Sequence, residues 1–468
     1  MTAFHRGTTP EPPHRNRFSG TLHLPDDEDF ATACFGRVFN ARVPYDRSPA
    51  AVLMAESEQD VVEGVRLALE RGWQVAVRSG GHSWAAWSVR QDALLIDLGG
   101  FREMAYAPGT GIVTATPSVK GGDELNPYLG EFGRFFNGGH CPSVGIGGFL
   151  LQGGQGWNAR GWGWAAENTV AIDVVTAEGE LVRADESHHS DLFWAARGAG
   201  PGFFGIVTRF HLRTRPLPQY LGHTVHAYPL DLFDEVMTWL HGMHHTVSDL
   251  VEIVALTQTP PDLDEPVLLV TGVSMTDTAD EAAEALAPLH ANPYADRALF
   301  RVEAQQTTLA EQLAGQRVAN PEGHRYLVDN AWLTGGADEV VPAIRKAFTE
   351  QPTRQTFTIW FSMAPLRQLP DMAFSLQSEI YCATYVIHDD PARDAELRAW
   401  LDSAMADMEP VTAGQYLGDS DFTVRQLRFM GDEQWRRLRE IRAAYDPKGL
   451  FAGYLSTGTV TNTNHWEQ

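Results

Sequence analysis

Between Asn137 and Gly163 the chain carries ten glycines in 27 residues, interleaved with Trp157, Trp162 and Trp164. Glycine at that density argues against helix or flat sheet and predicts backbone that turns sharply or lies close against something. More regular patterns flank it. Residues 60–72 place Val61, Val62, Val65, Leu67, Ala68 and Leu69 at helical spacing, ended by Gly72. Gln74 to Arg78 reads as a short strand running into the turn Ser79-Gly80-Gly81, and 94–98, 111–116 and 203–212 read as further strands. Val170–Ala177 and Glu180–Arg183 suggest a hairpin about Glu178-Gly179.

The run Arg215-Pro-Leu-Pro218 marks a change of character. Beyond it the pattern predicts a helix near 230–245, strands at 251–258 and 267–274, and a helix over 278–289. Longer strands follow at 356–363 and 378–388, then a helix over 391–408. Strands with helices to one side imply an α+β unit on an antiparallel sheet. A charged helix over 432–445, stopped by Asp446-Pro447, is expected to pack back on the first block.

At 468 residues the chain predicts two domains. A net charge of −24 argues against phosphate-backbone binding, so no nucleic-acid partner is expected. No apolar run approaches a membrane span, and Met1–Gly20 lacks the apolar core of a secretory signal. A cytoplasmic protein is therefore expected. Three scattered cysteines, Cys34, Cys141 and Cys382, are too few for a disulfide framework. His241, His244 and His245 have metal-ligand spacing, but solvated histidines are the commoner outcome and no metal is expected.

Two segments carry chemistry. In Val77-Arg-Ser-Gly-Gly-His-Ser-Trp84 a strand ends in two glycines, whose free N–H groups can converge on phosphate oxygens, and His82 follows at once. The alternative is a tight turn with a structural histidine. In Gly138-Gly-His-Cys-Pro-Ser-Val-Gly-Ile-Gly-Gly148, Cys141 sits among backbone-only neighbours, open to a planar ligand; the alternative is a small buried hydrophobe. The near-matches Gly154-Gln-Gly-Trp-Asn-Ala159 and Gly161-Trp-Gly-Trp-Ala-Ala166 neither follow a strand nor open a helix, and are not read as dinucleotide fingerprints.

Together with Asp191-Leu-Phe-Trp-Ala-Ala-Arg-Gly-Ala-Gly200, Phe204-Gly-Ile-Val207 and Tyr445-Asp-Pro447, these segments resemble the berberine bridge enzyme-like group of the vanillyl-alcohol oxidase flavoprotein superfamily. The resemblance implies a two-domain α+β fold. Residues 29–217 and 409–468 would form the FAD-binding domain, 218–408 a substrate domain on an antiparallel sheet, and 1–28 a flexible arm. It further implies FAD held covalently through His82 and Cys141. The flavin would lie among Val77, Arg78, Ser79, Gly80, Gly81, Ser83, Gly139, Pro142, Val144, Gly145, Gly147, Gly148, Gly153, Gly154, Trp157 and Asn168. Val144 occupies the place where the family's valine admits dioxygen and its leucine hinders it.

The implied reaction is hydride removal from an alcohol, hemiacetal or amine carbon of a small molecule, with dioxygen reduced to hydrogen peroxide. A dehydrogenase using another acceptor, or a flavin-binding protein without turnover, are the alternatives. The base is sought in two places. Alternation along 378–388 sets Glu379, Tyr381 and Tyr385 on one face, which is otherwise an ordinary polar face. Tyr416 holds the first tyrosine of the family's Tyr-x-Asn-Tyr-x-Asp, and Gly418 and Asp419 replace the next two. Tyr416 is the first choice.

Overall fold

The computed structural model describes residues 15–260 and 263–455. Of the segment expected as an arm, residues 1–14 lie outside the described residues, whereas 15–28 are built into the first layer. Arg17 bridges Glu63 and Glu70 at 2.8 and 2.9 Å. Strand β1 (Thr21–His23) then pairs antiparallel with β2 (Ala51–Met54). Between them lies α1 (Phe30–Phe35), and α2 (Glu58–Arg71) follows. Ser57 caps α2 by accepting from the Asp60 N–H, and Gly72 ends it in the left-handed region at φ 67°. β3 (Val75–Arg78) and β2 both run parallel to β4 (Leu94–Asp97), giving the order β1-β2-β4-β3. All four residues of β4 are buried, as a parallel strand covered on both faces requires.

A second sheet begins with β5 (Met104–Ala107) and β6 (Ile112–Ala115). The chain then passes through α3 (Asn126–Gly130), β7 (Arg134–Phe135), α4 (Ile146–Leu151) and α5 (Ala159–Trp162). The glycine-dense stretch therefore does contain helix, α4 and α5, though each is shorter than two turns. β8 (Thr169–Val175) and β9 (Leu181–Ala184) form the expected hairpin, and α6 (Ser190–Ala195) leads to β10 (Ile206–Arg213). The sheet order is β5-β6-β10-β8-β9, while β11 (Arg215–Pro216) pairs with β7.

The third sheet has eight strands. Its elements in chain order are β12 (Tyr220–Pro229), α7 (Phe233–Met243), β13 (Val251–Gln258), β14 (Val267–Thr276), α8 (Ala279–His290), β15 (Phe300–Thr307), α9 (Leu309–Ala319), β16 (Arg325–Leu333), α10 (Ala337–Thr349), β17 (Phe357–Ser362), β18 (Ile380–His388), α11 (Asp394–Met408) and β19 (Thr412–Gly414). Its order is β15-β12-β14-β13-β17-β18-β16-β19, and every pairing is antiparallel. Helices α7, α8, α10 and α11 cover one face through Leu240, Leu286, Ile344 and Leu401. The opposite face carries aromatics, including Trp332, Phe361, Tyr381 and Tyr385.

Of the three histidines expected on a solvated helix face, His245 is exposed and His241 half-buried, but His244 is buried. α7 stops at Met243, so His244 turns inward, its Nδ1 2.8 Å from Ser362 Oγ and its ring 5.0 Å from that of Trp360. Helix α12 (Asp432–Tyr445) returns to the first layers, with the Arg437 guanidinium 4.2 Å above the Trp194 ring. Beyond it Leu450 and Ala452 bond to the backbone of Val75 at 2.8 Å each, tying the end of the chain to β3. Among the described residues no helix is long and apolar enough to cross a membrane.

Candidate active site

A cavity of about 1200 Å³ lies between the glycine-rich loops and the helix-free face of the large sheet. The strand β3 delivers the backbone of 79–81 to its wall. At Gly80 an added Cβ would stand 2.6 Å from the nitrogen of Gly145, so the two expected flavin-contacting loops touch main chain to main chain. Gly81, at φ 79°, has the carbonyl of Arg37 where a side chain would go. These walls are therefore backbone, which can approach a flat ligand more closely than side chains allow. The volume exceeds the ~300–1000 Å³ of ordinary small-molecule sites, leaving room for both a dinucleotide and a substrate.

His82 and Cys141 reach this cavity from different loops, and Ser143 joins them. Its Oγ lies 3.0 Å from His82 Nε2 and 3.8 Å from Cys141 Sγ. The His82 ring stacks on Phe39 at 4.2 Å. Burial pushes its pKa down to about 4, and nearby Lys120 adds to the effect, so the imidazole is neutral at pH 7. Burial raises the Cys141 thiol, against which the Ser143 hydrogen bond works. A neutral imidazole and a thiol on one wall are a donor set suited to a flavin ring. Ser143 was not singled out from the sequence, because a serine after proline carries no signal of its own.

Val77, Ser79, Gly80, Gly81, Ser83, Gly139, Val144, Gly145, Gly147, Gly148 and Trp157 line the cavity as well. Arg78 borders it, but its guanidinium points the other way, to Asp97 at 2.5 Å and the carbonyls of Ala33 and Cys34. Pro142, Gly153, Gly154 and Asn168 are outside the lining. Asn168 instead donates to Asn137 at 3.2 Å. Gly154 acts from behind, its N–H donating to the Tyr416 hydroxyl at 3.2 Å.

Above the loops, Tyr381, Tyr385 and Tyr416 all face the cavity. Glu379, expected beside them, lies just ahead of β18, exposed and away from the lining, because the strand begins only at Ile380. Burial holds the phenols of all three tyrosines above their ordinary range. For Tyr416 the N–H groups of Gly154 and Gln155 work against that rise without reversing it. Asp419 stands among these phenols. Its Oδ2 accepts from the Tyr381 hydroxyl at 2.6 Å and its Oδ1 from Trp84 Nε1 at 2.9 Å. Asn330 fixes the turn that presents it, donating to the carbonyls of Tyr416 and Asp419 at 2.9 and 2.8 Å. From the sequence, Asp419 was only a departure from a family pattern. Nothing in its neighbours in sequence pointed to the strand tyrosines it meets.

Another carboxylate in the cavity wall is spoken for. Glu252 lies 2.9 Å from His140 Nε2 and accepts from the Asn158 N–H at 2.7 Å, bracing the loop that carries Cys141. His241 is not gathered with other ligands, and among the described residues no group of three or more His, Cys, Asp or Glu is placed to hold a metal ion.

Comparison with known proteins agrees with this layout. Residues 49–185 match the FAD binding domain family. The chain is 36% identical over 423 residues to the FAD-linked oxidoreductase janO of Penicillium janthinellum, covering 90% of this chain and 93% of that protein. In fold it resembles BBE-like 1 of Physcomitrella patens, with a TM-score of 0.82 at 18% identity over 94% of this chain and 97% of the other. The glucooligosaccharide oxidase of Acremonium strictum superposes with a TM-score of 0.81 at 19% identity, over 93% and 96% of the two chains. The site and the whole-length likeness lead to one family: the chain belongs to the FAD-linked oxidoreductases, with the fold seen in BBE-like 1.

Proposed function

We propose that this oxidoreductase holds its FAD through two covalent bonds, to His82 and Cys141, and works as an oxidase that passes electrons from a small molecule to dioxygen. The observation that carries the reading is the convergence of a neutral imidazole and a thiol on Ser143 Oγ, at 3.0 and 3.8 Å, in one cavity wall. With Nε2 engaged by Ser143, Nδ1 is the ring nitrogen left for a flavin bond. The backbone walls at 79–81 and 145–148 would cradle the cofactor. When bound, the flavin supplies hydride acceptance from the substrate carbon and return of the electrons to dioxygen.

The chain's own residues supply the proton chemistry. Asp419 is the base for the substrate hydroxyl or amine: its carboxylate lines the cavity and keeps a lone pair beyond those used by Tyr381, Tyr385 and Trp84. Tyr381 can pass a proton along its 2.6 Å bond, its phenolic hydrogen moving to Asp419 as its oxygen accepts another. Tyr416, held protonated by burial, is a positioning residue tied to the Gly154–Gln155 backbone. Val144, half-buried beside these loops, keeps the wall open to dioxygen.

Two measurements test the reading. Trypsin peptides spanning His82 and Cys141 should be found joined through one FAD mass. Holoenzyme reduced with dithionite and mixed with air-saturated buffer should return to the oxidised spectrum with one hydrogen peroxide per flavin. Peptides without added mass would overturn the attachment. Rapid reoxidation by an artificial acceptor but not by air would point to a dehydrogenase.

A further inference from the structure

The rows of side chains across the large sheet show how the cavity continues beyond the reacting end. Strand register puts Tyr381 opposite Phe361, Phe361 opposite Val254, Val254 opposite Thr271 and Thr271 opposite Val225. All five line the same cavity. Four strand-to-strand steps at ~4.8 Å make this a floor about 19 Å long. The next row is Ile359, Leu256, Leu269 and Ala227, also in the lining.

Several polar groups along this path are committed to the protein. Thr271 Oγ1 donates to the Val254 carbonyl at 3.0 Å. Both Glu252 oxygens are engaged, by His140 and the Asn158 N–H. On the facing wall, α9 contributes Gln312, whose Nε2 donates to Thr307 at 3.1 Å, and Asn320, whose Nδ2 donates to the Gln316 carbonyl at 3.2 Å. At the outer end Leu263, Leu299 and Phe300 belong to the lining and are 43%, 61% and 58% exposed. Large apolar side chains grouped at a cavity mouth are costly in water and mark a surface that receives an apolar ligand. A carbohydrate would need free donors and acceptors along the whole path, because each buried hydroxyl left unpaired is penalised.

We infer that the substrate of this site is an elongated, mostly apolar molecule, such as a long-chain or isoprenoid alcohol, whose single oxidisable polar end reaches Asp419 while its body lies along the Phe361–Val254–Val225 floor. This assignment of substrate class rests on the oxidase reading for its chemistry, but the channel can be tested by binding alone. Oxidation of the alcohol end transfers a hydride from carbon to the flavin and the hydroxyl proton to Asp419, leaving an aldehyde. Dioxygen then takes two electrons and two protons to give hydrogen peroxide.

The test is a titration of holoenzyme under argon, read from the flavin absorption band, with butan-1-ol, hexan-1-ol, octan-1-ol, decan-1-ol and cellobiose. Affinity should rise with each added methylene, by up to about fourfold. Leu256→Asp should flatten that rise while the flavin stays attached; should that variant not fold, the series on the unaltered enzyme still decides. An affinity that does not change along the alcohol series, or cellobiose binding more tightly than decan-1-ol, overturns the assignment. A length-dependent affinity without any bleaching of the flavin would sustain the channel and count against the oxidase reading, so the two fail separately.

Discussion

The phenol of Tyr381 donates a 2.6 Å hydrogen bond to Oδ2 of Asp419, joining a central strand of the large sheet to a turn 38 residues later. Trp84, two residues beyond His82, holds the other carboxylate oxygen at 2.9 Å. The first layer, the sheet and the return segment thus meet at one carboxylate.

From this comes the first prediction. Asp419→Asn should lower the anaerobic flavin reduction rate by ~10²–10⁴-fold while leaving the flavin attached. Tyr381→Phe should cost less, and Tyr416→Phe, which removes only an anchored phenol, less again. Stopped-flow reduction with a substrate alcohol ranks the three. A rate for Asp419→Asn within a few-fold of the unaltered enzyme would exclude it as base.

Covalent attachment predicts that acid-precipitated, denatured protein remains yellow. His82→Ala should keep flavin on Cys141 alone, and the double change with Cys141→Ala should release all of it to the supernatant. Absorbance of pellet and supernatant after precipitation is the measurement. Free FAD from the unaltered enzyme would refute the proposal.

Val144→Leu adds one methylene to a half-buried side chain in the cavity wall. Reoxidation of the dithionite-reduced enzyme by air should slow about tenfold, equivalent to ~1.4 kcal/mol on the barrier. Rapid mixing with oxygenated buffer reads this directly. An unchanged rate would mean that dioxygen arrives by another path.

At Gly80 even a methyl group meets backbone, with the Gly145 nitrogen at 2.6 Å and its Cα at 2.9 Å. Backbone cannot rotate aside, so Gly80→Ala should part the two loops, cost ~1–3 kcal/mol and reduce flavin incorporation. Thermal melting and the flavin-to-protein absorbance ratio test it. A variant with full flavin content and an unchanged melting temperature would show that the loops need not touch.

The last prediction concerns pH. Burial pushes the pKa of His244 from 6.5 down to about 3. The folded histidine therefore binds its proton more weakly than the unfolded one. Its contribution is complete above pH ~6.5 and is lost as pH falls toward 3, because the unfolded chain takes up the proton first. By pH 4 the loss should reach about 3 kcal/mol. His244→Phe should be less stable at pH 7, through the unpaired Ser362 hydroxyl, but should lose less between pH 7 and pH 4. Denaturant melts at the two pH values give the comparison.

The class of fold and the glycine-rich loops that carry His82 and Cys141 were legible in the sequence alone. Arg78-Ser-Gly-Gly-His-Ser83 and the glycine run about Cys141 are local patterns, and backbone conformation there follows from which residues are glycine. Strongly periodic elements such as α2 and β13 were legible for the same reason: burial of one face writes itself into the spacing of apolar residues. Strands β12, β15 and β16 were not. Histidine, glycine and charged residues interrupt them, and their sheet positions depend on partners as distant in the chain as Thr307 is from Leu221. The remaining features come from contacts between distant parts of the chain. These drew Asp419 to Tyr381, left Glu379 outside because β18 starts one residue later, and turned the Arg78 side chain inward to Asp97. Each of these depends on which distant residue fills the facing position, and spacing along one strand carries no record of that.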